Sequence, residues 1–256
     1  MNAVLAIARR ETSAYFASPV GWICLSGFVI LTGFFFFVML MMYGDYASQG
    51  MMNPGMADQI NVNDLVVSPL FDNMAVIALL MSPALTMRLF AEDRKTRSLE
   101  LLLTSPVSSL EIVLGKFLGA MGFAGVLTAS TLHFPAILYW LGEPDTGIVV
   151  ANYVSFVLLL ATFFAVGMLA SAMTDNQLVA LVVAFGVNLL LWVVGWSVSS
   201  ADPGLLKTVV EALSMVTHVE TLGKGLIHIK DVVYFLSFIG FCLFATTQRV
   251  EALRWR

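Results

Sequence analysis

The most closely spaced charged side chains of the sequence lie between Glu92 and Glu100, and three consecutive leucines follow them directly. Acidic and basic groups in one short stretch orient the encounter with another protein, while buried apolar side chains supply most of the affinity. The pattern therefore predicts protein docking rather than catalysis. The residues that we expect to make the contact are Glu92, Asp93, Arg94, Lys95, Arg97, Leu99, Glu100, Leu101, Leu102, Leu103 and Pro106.

The sequence contains no motif for nucleotide hydrolysis or peptide cleavage. A phosphate-binding loop has the spacing Gly-x-x-x-x-Gly-Lys followed by serine or threonine, because backbone amides and the lysine hold the phosphates. Gly115-Lys116 lacks both the earlier glycine and the following hydroxyl, and Gly223-Lys224 fails the same test. A His-Glu-x-x-His zinc motif is also missing. We therefore predict that the chain is not an enzyme and does not hydrolyse ATP by itself.

Two further groups of side chains have a simpler interpretation than a functional site. Met51, Met52 and Met56 resemble a copper(I) site, since thioethers bind soft metals, but no cysteine or histidine joins them. His133 is an ionisable residue deep in an apolar stretch, where such groups are functional candidates by default. No acid, lysine or arginine accompanies it, which argues against a proton relay. We therefore favour a neutral imidazole bonded to a neighbouring carbonyl group.

The composition excludes most classes of soluble protein. Of the 256 residues, 59% are apolar and 12% are charged, whereas a soluble domain carries roughly 45–50% and 25%. A formal net charge of −4 gives no basic excess to neutralise phosphates, so nucleic acid is not an expected partner. Both cysteines lie in apolar runs, and no disulfide framework is predicted.

Six apolar stretches predict the fold class. A membrane-spanning helix needs about 20 consecutive apolar residues. The stretches that meet or approach this length are Val20–Met42, Met74–Met87, Val113–Leu141, Val149–Met173, Leu178–Val198 and Val232–Thr247. We therefore predict an all-α polytopic membrane protein with six transmembrane helices. Residues 1–256 are expected to form a single domain, because no linker or repeat divides the chain.

Lysine and arginine residues predict the orientation, because cytoplasmic loops carry an excess of them. With six spans, ten of the 13 basic residues fall on the side of the two termini. The other side receives Lys207, Lys224 and Lys230, together with ten acidic residues. We therefore expect both termini to lie in the cytoplasm.

Residues 1–18 have the pattern of an amphipathic helix at the membrane interface. The charged residues Arg9, Arg10 and Glu11 are expected mostly on its polar side, and Pro19 then turns the chain into the first span. The apolar side is expected to be formed by Val4, Leu5, Ala8, Thr12, Tyr15 and Phe16.

Two segments between the spans also have predicted structure. Residues 90–107 form the cytoplasmic link in which Pro106 ends a charged helix, and Ser108 with Glu111 forms a capping box that begins the next one. Residues 202–231 are expected to form short helices at the outer rim, with Thr217 and Glu220 as their capping box.

The segment between Phe90 and Lys116 resembles the signature region of ABC-2-type transporter permeases. The start of the chain, Ile7–Gly21, and the stretch from Leu213 to Leu236 are similar to the gliding-motility-associated branch of that family. The residues that match the signature are Glu92, Arg94, Lys95, Ser98, Leu99, Glu100, Leu101, Leu102, Leu103, Thr104, Pro106, Val107, Glu111, Gly115 and Lys116.

The resemblance implies the ABC-2 exporter fold, with six membrane helices, an N-terminal amphipathic helix and a coupling helix between the second and third spans. It also implies a complex in the bacterial cytoplasmic (inner) membrane that contains two permease subunits and two separate ATPase subunits. ATP and magnesium would be bound by the ATPase, and no cofactor is expected in this chain. The substrate, the identity of the second permease and the presence of an extracytoplasmic accessory protein stay open.

A second hypothesis gives the same architecture a different task. In it, the chain is a membrane anchor or mechanotransmitter that does not transport, and it passes the work of an ATPase to a partner on the outer surface. A dimer with a continuous path wide enough for a substrate would favour the exporter.

The six-span topology predicts the outcome of cysteine-accessibility labelling. Single cysteines introduced within Gly44–Asp72 and within Ala91–Ser105 should react with impermeant reagents from opposite sides of the membrane. Labelling of both regions from the outside would contradict the span count.

Overall fold

The computed structural model describes residues 3–52, 61–98, 102, 104, 106–142, 144–198, 214–225 and 228–254, all of them in helices or short connections. A π-helical turn, Asn63–Val67, precedes the third helix. The α-helices are α1 Ala3–Ala17, α2 Pro19–Met52, α3 Ser68–Thr86, α4 Arg88–Lys95, α5 Ser109–Ala129, α6 His133–Leu141, α7 Thr146–Met173, α8 Gln177–Val198, α9 Met215–Gly223 and α10 Ile229–Arg254.

Six helical stretches of the described chain are long and apolar enough to cross a membrane, which confirms the predicted fold class. They are span 1 Pro19–Gly50, span 2 Asn63–Lys95, span 3 Ser109–Leu141, span 4 Thr146–Met173, span 5 Gln177–Gly195 and span 6 Ile229–Arg254. The second and sixth are much longer than their apolar stretches, because charged residues at their ends continue the helix. The spans predicted from hydropathy alone were therefore too short at these two helices.

Span 4 forms the centre of the bundle. About 78% of its most apolar window is buried, against 17% for span 5 and 22% for span 1. Small residues permit this central position, because they let neighbouring helices approach closely. A Cβ atom added at Gly167 would collide with the Thr86 side chain of span 2. Span 2 therefore packs directly against the backbone of span 4.

A serine of span 4 accounts for the interruption of span 2 at Met87. The Ser171 hydroxyl donates to the Met87 carbonyl at 2.7 Å and accepts from the backbone amides of Phe90 and Ala91, both at 3.0 Å. A side chain inserted into the hydrogen-bond ladder is a recognised cause of a helix kink. The joint between α3 and α4 is therefore fixed by span 4.

Span 3 is interrupted between Ala129 and His133, just before Pro135. Proline has no amide hydrogen to donate to the carbonyl four residues earlier, and its ring clashes with that group. The carbonyl concerned is that of Thr131, which accepts instead from the Tyr153 hydroxyl of span 4 at 3.0 Å. His133 Nδ1 lies 2.7 Å from the Ser130 carbonyl oxygen, in agreement with the structural role favoured above.

The end of the bundle that contains α1, α4 and the last turn of α10 is called the terminal end below, and the opposite end is called the distal end. At the distal end, α9 packs on span 4, where the Asn152 amide donates to the Gly223 carbonyl at 2.9 Å. The side chain that begins α9 is Ser214, which accepts from the Thr217 amide. The predicted capping box of Thr217 and Glu220 was wrong by about one turn, because Thr217 is the donor rather than the cap.

The close contact between spans 2 and 4 gives a stability prediction. Gly167→Ala should lower the apparent melting temperature in detergent, because a methyl group there forces the Thr86 side chain or the helices apart at a cost of about 1–3 kcal/mol. Gly186→Ala in span 5 is the matched control, since a Cβ atom there meets nothing within 4 Å. Equal melting temperatures for both variants would contradict the packing described here.

Candidate functional site

The predicted docking segment begins as an extension of span 2. Glu92–Lys95 belong to α4, and a tight turn follows at Thr96 and Arg97, where Arg97 has a φ of 57°. Ser98 stabilises this turn by donating a hydrogen bond from its hydroxyl to the Asp93 carboxylate at 2.8 Å. Helical backbone is present again at Ser98, Leu102 and Thr104. Four of the predicted contact residues, Leu99, Glu100, Leu101 and Leu103, lie outside the described residues.

The charged residues at positions 92 to 97 fall into two groups. Glu92, Lys95 and Arg97 are exposed, whereas Asp93 and Arg94 are partly buried against the bundle. Spacing in a helix produces this division, because residues next to each other in sequence point in different directions. The exposed group is free to meet a partner protein, and the partly buried group attaches α4 to the rest of the molecule.

Asp93 attaches α4 through a buried lysine of span 3. Lys116 Nζ lies 2.6 Å from the Asp93 carboxylate and 2.9 Å from that of Glu11 in α1, and the Lys116 side chain is only 1% exposed. Arg10 adds a second cation, 2.7 Å from Glu11 and 3.9 Å from Asp93. A buried ammonium group needs such pairing, because unpaired burial of a charge is very costly. We call Glu11, Asp93 and Lys116 the ion triad.

The ion triad joins residues that the sequence places in separate features. Glu11 belongs to the predicted interfacial helix and Asp93 to the predicted docking segment. Lys116 stands out in the sequence only as part of the family signature. The signals that pointed to the triad were weak: one acid in α1 and one lysine beside Gly115. Their spacing along the chain gives no information about which charges meet.

Glycines of α5 determine how α1 packs. Cβ atoms added at Gly115, Gly119 and Gly122 would contact Ile7, Glu11 and Thr12 respectively, so α1 follows α5 in the same direction over several turns. The two helices therefore approach each other closely at Gly115 and Gly119. Thr12 adds a hydrogen bond to the Gly119 carbonyl at 3.0 Å.

The contact face of α1 largely agrees with the predicted apolar side, since five of its six residues are buried or partly buried. It differs at Leu5, which is 58% exposed, and at Glu11, which was predicted on the polar side but faces span 3. The reason is electrostatic, because the pairing of Glu11 with Lys116 determines which side of the helix turns inward. Arg9 remains on the exposed side, as predicted.

Tyr15 connects α1 to span 2 as well. Its hydroxyl donates to the Leu85 carbonyl at 3.0 Å, and its ring stacks on Phe123 with 4.8 Å between centroids. The Arg88 guanidinium lies over the Tyr15 ring, 4.6 Å from the ring centroid. Burial raises the pKa of the Tyr15 hydroxyl well above its ordinary value, so this group remains a donor at physiological pH.

Arg94 attaches α4 to the turn between spans 4 and 5. Its guanidinium lies 2.7 Å from the Asp175 carboxylate and donates to the Ala172 carbonyl at 3.3 Å. A cleft of about 560 Å³ opens beside this pair and is lined by Lys95 and by residues 173–178. The end of span 6 is joined through a hydrogen bond from Ser109 to Glu251. The terminal end is therefore cross-linked by polar contacts on several sides.

These side chains connect α4 to several other parts of the chain. Among the described residues, no group of three or more His, Cys, Asp or Glu side chains could hold a metal ion. The side chains of the methionines at positions 51, 52 and 56 lie outside the described part. What the arrangement offers is a short charged helix whose inner face is fastened to α1, span 3 and the turn before span 5.

Removal of the central cation should destabilise the terminal end. Lys116→Met leaves the Glu11 and Asp93 carboxylates without their partner, and breaking a buried pair typically costs about 3–5 kcal/mol. We expect a lower free energy of unfolding and faster proteolysis of α1. The triple variant Glu11→Gln, Asp93→Asn, Lys116→Met should recover most of the loss, and Lys95→Met should leave stability unchanged. Equal stability of Lys116→Met and the native protein would contradict the triad.

A comparison with sequence families supplies the identity of this architecture. The family described as ABC-2 family transporter protein matches residues 5–246, nearly the whole chain. No curated protein matches the chain significantly. The match includes most of α1, the ion triad, spans 1 to 5 and span 6 as far as residue 246. The six-helix bundle, with its charged helix between spans 2 and 3, therefore belongs to a member of the ABC-2 family of transporter proteins.

Proposed function

We propose that this chain is the permease subunit of an ATP-driven exporter and that a separate ATPase moves it through α4 and residues 96–107. The observation that carries the proposal is the division of α4 into two sides. Exposed charges point away from the bundle, while Asp93 and Arg94 fasten the helix to three other parts of the chain. A docked subunit that pushes on α4 would therefore move those parts with it.

A stiff contact is necessary for such coupling. ATP-driven closure of soluble subunits changes the membrane helices only if both sites bias the same structural element. The helix α4 meets this requirement, because the ion triad, Arg94 and Ser171 hold it from separate directions. Leu102 is partly buried against the core and adds an apolar contact beyond the turn.

The remaining parts of the proposal follow from family and composition. The working complex would contain two ATPase subunits, which bind ATP and magnesium, and a second permease that is either identical or related. Both termini would lie in the cytoplasm and the complex in the bacterial inner membrane, in line with the ten basic residues on the terminal side. Membership of the gliding-motility branch, with an extracytoplasmic accessory protein, is part of this proposal. The family match does not favour a membrane anchor without transport.

Reversal of exposed charges tests the docking proposal. The double variant Glu92→Lys, Lys95→Glu should slow association with the ATPase and weaken binding about tenfold, because surface charges at an interface act mainly on the association rate. Membrane insertion and thermal stability should not change, since both side chains are exposed.

The matched control reverses one acid and one base at the distal end, Asp64→Lys with Lys230→Glu, both exposed. Binding should be measured by copurification and by ATPase activity at two salt concentrations. Retention of full ATPase binding and of transport by the Glu92→Lys, Lys95→Glu variant would show that α4 is not the docking element.

A further inference from the structure

Two buried polar side chains in the middle of the bundle have no hydrogen-bond partner. Asn188 of span 5 is 0% exposed, and within the described residues neither its amide nitrogen nor its amide oxygen is bonded. Ser82 of span 2 is 1% exposed, and its hydroxyl oxygen is likewise unbonded. Asn188 belongs to the inward face of α8, together with Ala180, Ala184 and Trp192.

An unpaired amide of this kind is unusual in a packed interior. A buried donor or acceptor without a partner bears the full cost of its desolvation, whereas an apolar side chain of similar shape does not. Two other buried polar side chains of the bundle show the usual pairing. Asn152 donates to two carbonyl groups at 2.9 Å each, and the Ser171 hydroxyl makes three hydrogen bonds.

The two unpaired groups lie at the same depth within about one helical turn. Spans 2 and 4 run parallel, since Thr86 meets Gly167 and Asn63 bonds to Asp145, which places Ser82 level with Phe163. Span 5 runs antiparallel to span 4, and Trp192 packs on Phe163. Asn188 lies one turn from Trp192 on the same face. Because α3 and α8 are in contact, the two polar groups belong to one layer of the core.

Both helices of this layer connect directly to the terminal end. Span 2 continues into α4, and span 5 begins after the turn that holds Asp175. The Arg94–Asp175 ion pair joins these two extensions at 2.7 Å. A displacement of α4 would therefore be delivered to both helices that carry an unpaired polar group.

We propose that Asn188 and Ser82 form a hydrogen bond in a second conformation of the bundle, in which span 5 has moved relative to span 2. The Asn188 amide nitrogen would donate to the Ser82 hydroxyl oxygen. In the conformation described here, both groups bear a desolvation cost without a hydrogen bond. In the second conformation, the bond between them would offset that cost. A pair of this kind reduces the free-energy difference between two packings of the same helices. The inference rests on the proposed function in one respect only, namely that the ATPase docked on α4 causes the movement of span 5.

Thermal stability of the isolated subunit tests the first half of the inference. Asn188→Leu should raise the melting temperature by about 2–4 °C, because it removes an unsatisfied amide without loss of a bond. Asn152→Leu is the matched control and should lower it, since that amide nitrogen makes two hydrogen bonds. By the same reasoning, Ser82→Ala should have a higher melting temperature than Ser171→Ala. A lower melting temperature for Asn188→Leu would mean that the amide is already bonded, for example to a buried water, and would overturn the inference.

Activity of the complete transporter with its ATPase tests the second half. Asn188→Leu should reduce ATP-driven transport several-fold, although the protein is more stable. Ser82→Cys with Asn188→Cys, in a background without Cys24 and Cys242, should cross-link faster when a non-hydrolysable ATP analogue is bound. Unchanged transport by Asn188→Leu, or equal cross-linking with and without nucleotide, would overturn the inference. If the docking proposal were wrong, the Glu92→Lys, Lys95→Glu variant would instead bind the ATPase as tightly as the native protein does.

Discussion

A lysine ammonium group inside a membrane bundle has to be paired, and the pairing of Lys116 determines how the terminal end is assembled. Its two carboxylate partners come from α1 and from α4, so three distant segments meet at one cation. The same requirement turns Glu11 inward and thereby selects the face of α1 that packs on the glycines of span 3. The position of the charged helix α4 is a consequence of this burial.

Span 4 provides the second constraint on α4. Its glycine and serine positions let span 2 approach closely and supply the hydroxyl that bonds within the joint at Met87. The direction of α4 is therefore determined by span 4, and its lateral position by Lys116 and Arg94. A helix held in this way transmits a push with little bending. In the proposed complex, the ATPase would act on the exposed charges of its outer face.

Much of the fold could be predicted from the sequence, because membrane spans and caps are local features. The six spans and the capping box of Ser108 with Glu111 depend on residues close together in the chain, and the structure confirms both. The ion triad could not be predicted, since Glu11, Asp93 and Lys116 are far apart in sequence. The same holds for the ends of spans 2 and 6, where a charged residue marks the membrane boundary for hydropathy but continues the helix in the structure.

The ion pairs of the terminal end and the unpaired polar groups of the central layer would respond differently to a movement of the spans. At the terminal end, the buried ammonium group of Lys116 is paired with carboxylates from two other helices, and such pairs resist separation because each partner would be left uncompensated. In the central layer, a movement of spans 2 and 5 would break no hydrogen bond of the Asn188 amide or the Ser82 hydroxyl. Apolar contacts are non-directional and tolerate sliding better than ion pairs do. Movement should therefore concentrate in the central layer, while the terminal end moves as a unit.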